Sequence, residues 1–169
     1  MRDAQKPDEA PRAVPTGGEI DAIAALLAEQ LAELLAQDPG VRAGSPDAAR
    51  KMRSAARQSR SLLEDHRKLF KKAAVKSFRA ELKWVVNAVG PLRHATMVDG
   101  PVHGPNHDLP MLNALGLSFG PAENTQRAGY DAAYGKALAA LESDRYFRLI
   151  SGLQAFCAAP PARSVAEPA

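Results

Sequence analysis

Apolar residues recur at offsets of three and four along most of the chain. Within residues 19–37, Ile20, Ile23, Ala24, Leu27, Leu31, Leu34 and Leu35 make one wide apolar stripe, with Glu29, Glu33 and Asp38 mostly on the other side. That spacing predicts a first helix, ended by Asp38-Pro39-Gly40. Ser45-Pro46-Asp47 predicts a sharp restart. The serine caps free amides, the proline suits the first helical position, and the aspartate complements the dipole. The second helix is expected over 46–71, with Met52, Ala55, Ala56, Ser59, Leu62 and Leu63 facing inward. A third is expected over 73–89, with Val75, Phe78, Leu82, Val85, Val86 and Val89 as its core face. Gly90-Pro91 interrupts or ends it, leaving residues 92–98 for a last turn or two.

Residues 99–120 hold four glycines and three prolines. They read as a long irregular connection, with 109–117 suited to a short helix. Pro121 starts a fourth helix over 122–141, weakened by Gly129 and Gly135. Ser143-Asp144 caps a final helix over 145–157. The expected organisation is a disordered lead-in over 1–18, a helical bundle over 19–157 and a disordered Pro/Ala tail over 158–169. The fold class is all-α, an antiparallel four-helix bundle.

Composition agrees with this pattern. Apolar residues make up 46% of 169, much of that alanine, and aromatics only 5%, which favours helices over sheets. No signal peptide is legible, and no stretch approaches the length of a membrane span. The expected location is the cytoplasm. Cys157 is the one cysteine and reads as a buried small hydrophobe.

Charge changes the picture. Between Arg50 and Lys83 lie twelve Lys or Arg and three acids, a net +9 on a chain whose total is +3. Arg50, Arg53, Arg57 and Arg60 fall within an arc of roughly 80° on a helix, turned away from the apolar face. Segment 50–60 contains no acid to pair with them. Lys76, Arg79 and Lys83 repeat the spacing on the next helix, and Arg93 follows. Forked guanidinium groups suit phosphate oxygens, so a basic stripe of this kind points to a polyanion.

Catalytic patterns are lacking: there is no glycine-rich phosphate loop, no serine elbow and no paired-cysteine site. His103, His107 and Asp108 lie in a glycine- and proline-rich stretch without further ligands, and read as a solvated loop. Glu64-Asp65-His66 reads as a solvated helix face. No enzyme activity, cofactor or metal site is expected.

At these residues the chain resembles a CHAD domain, the conserved histidine α-helical domain. The resemblance begins at Leu26 to Leu31 and Asp38-Pro39-Gly40-Val41. It is sharpest from Ser45 to Ser61, where Met52, Arg53, Arg57 and Arg60 match the family's His-x-Met-Arg-Val-x-x-Arg-Arg-Leu-Arg. A second stretch, Phe78 to Arg93, is similar to Leu-Arg-x-Glu-Leu-x-Trp-Leu…Leu-Gly-x-x-Arg-Asp. A third, Ser143-Asp144-Arg145-Tyr146, is similar to Ser-x-Arg-Tyr. Three positions depart from the pattern. Arg50 stands where the family has histidine, Gln58 where it has the second arginine of a pair, and His94 where it has aspartate.

The resemblance implies a non-catalytic binder of inorganic polyphosphate. It places Arg50, Arg53, Arg57 and Arg60 on one wall and Lys76, Arg79, Lys83 and Arg93 on its neighbour. The family domain has two related bundles, and the resemblance covers the first. Three arrangements remain: a degenerate remnant, a homodimer that completes the pore, or a weaker single groove. RNA or DNA binding is the less favoured alternative, because Phe70, Phe78 and Trp84 read as packing residues rather than stacking platforms. A granule-associated structural protein is the third reading.

Overall fold

The computed structural model describes residues 17–94 and 121–163, without the side chains of 93, 94 and 121–124. Most of the expected lead-in, the 99–120 connection with its histidines, and the end of the tail lie outside the described residues. The described residues form five helices: α1 (Gly17–Arg42), α2 (Pro46–Asp65), α3 (Lys72–His94), α4 (Pro121–Leu141) and α5 (Asp144–Ala158). They pack as a helical bundle. α2 lies between α1 and α3, while α4 and α5 each touch both of those helices. One long face of α2 is thereby left to solvent.

The core follows the periodic stripes. Leu27, Leu31, Leu34 and Val41 of α1 meet Met52, Ala55, Ala56 and Leu63 of α2, and Leu82, Val85 and Val89 of α3 complete the layer. The small residues on α2 let its neighbours approach closely. Ser59 is buried among them without penalty, because its hydroxyl donates to the Ala55 carbonyl at 3.0 Å. Phe156 of α5 closes one end, with its ring 5.0 Å from Phe70 and 5.5 Å from Phe78. No helix among the described residues is long and apolar enough to cross a membrane.

Three element boundaries differ from expectation. α1 does not stop at Asp38-Pro39-Gly40 but runs through Pro39 to Arg42. Pro39 withholds a donor from the Leu35 carbonyl, yet Val41 is fully buried beyond it, and Arg42 pairs with Asp38 one turn back. Termination comes at Gly44, whose φ is +78°. Ser45 N–H donates to the Gly40 carbonyl and Gly44 N–H to the Val41 carbonyl, both at 2.9 Å. These are the two bonds of a Schellman motif. α3 likewise runs through Gly90-Pro91 to His94, drawn on by the fully buried Leu92.

α2 is shorter than expected, ending at Asp65 rather than near Lys71. Straight continuation would not deliver Phe70 to the ring cluster. A turn from His66 does so, and the chain after α5 then folds back onto it. Lys71 N–H donates to the Pro161 carbonyl and Arg163 N–H to the Leu69 carbonyl, each at 2.9 Å. The first residues of the expected disordered tail are thus hydrogen-bonded to the α2–α3 connection. The two predicted caps hold: Ser45 accepts from Ala48 N–H at 3.3 Å and Ser143 from Tyr146 N–H at 3.2 Å.

Candidate functional site

The exposed face of α2 carries the arginine stripe, and the residues around it form an open groove of about 870 Å³. Leu26 and Gln30 of α1 make one side, α2 the floor, and Arg79 of α3 the other side. Arg50, Arg53, Arg57 and Arg60 all line it, because their shared arc is turned away from the centre of the buried face of α2. None of the lining residues is aromatic.

Two contacts define how α3 lies beside α2. Arg79 Nη1 is 2.5 Å from Glu64 Oε2, and a methyl group built on Gly90 would sit 4.0 Å from Arg53 Nε. Eleven residues back along α2 match eleven residues forward along α3, so the two helices are antiparallel. This register sets the backbone of Lys83 level with Arg60, and that of Arg93 level with Arg50. Arg79 enters the groove; Lys76 and Lys83 are exposed on the same helix and do not line it. The side chain of Arg93 is outside the described residues.

The expectation that the stripe is free of partners needs correction at Arg50. Its Nη2 donates to Asp47 Oδ1 at 2.6 Å, and Lys51 Nζ holds the other carboxylate oxygen at 2.9 Å. Asp47, in the first turn, lies just upstream of the stripe. The two cations hold its carboxyl below the ordinary range, chiefly through the bond from Arg50. Among the described residues no carboxylate pairs with Arg53, Arg57 or Arg60. The Nε atoms of Arg53, Arg60 and Arg79 are shielded from solvent and have no acceptor. Native structures rarely leave buried donors in this condition.

Glu64 is the groove residue that sequence reasoning missed. The segment Glu64-Asp65-His66 is not simply a solvated face: Glu64 and Asp65 both line the groove. Glu64 joins Arg67 through one oxygen and Arg79 through the other. Its four-residue spacing from Arg60 was the available signal, but the partnership with Arg79 depends on the α2–α3 register.

The residues behind the other sequence matches serve the scaffold. Arg145 of α5 donates to both oxygens of Glu81 of α3, at 2.6 and 3.1 Å. Its guanidinium also lies 4.4 Å from the centre of the Trp84 ring. Glu81, Trp84 and Arg145 therefore clamp α3 to α5. At the start of α2, Tyr130 donates to the Gly44 carbonyl at 2.8 Å and Tyr134 to the Arg42 carbonyl at 2.6 Å. α4 thus fixes the corner from which the arginine-bearing helix departs.

An uncharacterised protein of Mycobacterium tuberculosis strain CDC 1551 / Oshkosh is 30% identical over 147 residues, covering 86% of this chain and 29% of the relative. One from strain ATCC 25618 / H37Rv is 29% identical over the same length and shares. The chain thus spans less than a third of the curated relatives it matches. No solved structure matches it. The family model for the CHAD domain matches residues 25–169, from the first helix onward. With most of its length covered by that match, the chain belongs to the CHAD domain family.

Proposed function

We propose that the protein binds inorganic polyphosphate, or a closely similar polyanion, along the α2 groove and catalyses no reaction. The observation that carries this reading is the convergence of the guanidinium forks of Arg50, Arg53, Arg57 and Arg60 on one open groove, where no carboxylate among the described residues pairs with Arg53, Arg57 or Arg60. Phosphate oxygens are matched acceptors for such forks. Successive units of a linear polyphosphate would meet Arg50, Arg53, Arg57 and Arg60 in turn. Lys76, Lys83 and Arg93 on α3 would add a positive field along the rim. Family membership supports the same ligand, since polyphosphate recognition is what the CHAD resemblance implies.

The groove favours this ligand over RNA or DNA. It offers no aromatic platform on which a base could stack. A double variant, Arg53→Glu/Arg57→Glu, tests the reading. Polyphosphate binding measured by calorimetry should be lost, while the helical circular-dichroism signal stays unchanged. Undiminished binding by a folded double variant would place the ligand elsewhere. Polyphosphate should also displace the protein from labelled single-stranded RNA, and failure to compete would favour a nucleic-acid partner.

A further inference from the structure

Two carboxylates, Glu64 and Asp65, line the groove at the same end, and Glu64 is paired with one of the groove arginines. Glu64 lies on α2 one turn beyond Arg60, and its side chain is only 34% exposed. One oxygen meets Arg67, outside the groove lining; the other meets Arg79 across the α2–α3 interface. That second oxygen is buried and makes an ion contact rather than an aligned hydrogen bond. Arg79 is therefore neutralised but not saturated, since its Nε remains without an acceptor. Asp65, also lining this end, adds a second negative charge. Among the described residues no carboxylate pairs with Arg53, Arg57 or Arg60, and Asp47, which holds Arg50, is not part of the groove lining. The groove thus has a cationic stretch and an acid-closed end.

We infer that Glu64 is an internal counter-ion that holds Arg79 in reserve, closing one end of the groove and limiting how tightly, and over what length, a polyanion is held. This rests on the polyanion reading above. In the native protein the anion is carried mainly by the α2 arginines. An anion advancing past Arg60 meets the Glu64 carboxylate before it can reach Arg79, and like charges at this range repel. Removing the charge while keeping the shape releases Arg79 to the ligand.

The test compares four proteins against inorganic polyphosphate of defined chain length: wild type, Glu64→Gln, Arg79→Gln and the double variant. Glu64→Gln should bind about fivefold more tightly, as expected for neutralising one nearby like charge. Its plot of log affinity against log salt should steepen by about one unit, because one more cation now releases a counterion. The gain should vanish when Glu64→Gln is made in the Arg79→Gln background. An equal gain in that background would mean a bulk charge effect and overturn the inference. Weaker binding by Glu64→Gln would also overturn it, showing that Glu64 orients Arg79 for the ligand.

Should Glu64→Gln not fold, wild type alone decides. On saturation with polyphosphate, the side-chain NMR signals of Arg53 and Arg57 should shift and those of Arg79 should not. Movement of Arg79 with the others would contradict the inference. Failure of the polyanion reading is distinguishable, because then neither wild type nor Glu64→Gln binds even at low salt.

Discussion

Gly44 shows how single residues place the arginines. Its left-handed backbone turns the chain from α1 into α2, and a methyl group added there would lie 2.3 Å from the Tyr130 hydroxyl. Gly44→Ala combines a disfavoured backbone with a clash, and should cost about 1–3 kcal/mol in urea unfolding. Tyr134→Phe, which removes only the donor to the Arg42 carbonyl, should cost about 1 kcal/mol. Tyr146 gives a pH signature. Burial, and then the Asp38 carboxylate, push its phenol well above the ordinary value of 10.0. A raised value favours the neutral ring in the folded protein. This stability is therefore complete below the unfolded tyrosine range and lost as pH rises through and beyond it. Unfolding measured from about pH 9 to about pH 11 should show a decline that is shallower in Tyr146→Phe.

At the scale of elements, the helices and their inward faces were legible because burial imposes a 3.6-residue period on the sequence. Helix ends were less so. Pro39 and Pro91 look like stops, but both are exposed, so water can reach the carbonyls they leave without donors. Buried Val41 and Leu92 beyond them repay continuation of the helix. Gly44, four residues past Gly40, was the true terminator, recognisable only once the Schellman bonds are seen. The end of α2 was misjudged for a different reason. Phe70 answers to partners on α5 and to the chain beyond it, none of them local in sequence. Phe70→Ala should therefore lower stability by about 3–5 kcal/mol, read from the urea midpoint at constant slope. Arg145→Ala, which loosens the α3–α5 clamp at a half-exposed site, should cost only about 1 kcal/mol.

For the whole molecule, the α2 half of the candidate site was readable because four arginines on one helix need only helical geometry to converge. The contribution of α3 needed tertiary register. That register brings Arg79 into the groove, leaves Lys76 and Lys83 outside its lining, and sets Glu64 against Arg79. The central claim is that cations lined up on α2 hold a polyanion by charge. The measurement that tests it most directly is polyphosphate affinity as a function of salt concentration. Engagement of the four α2 arginines predicts that log affinity falls linearly with log salt, with a slope of about −3 by analogy with single-stranded nucleic acids. An affinity that does not change with salt, or no binding at low salt, would contradict the account.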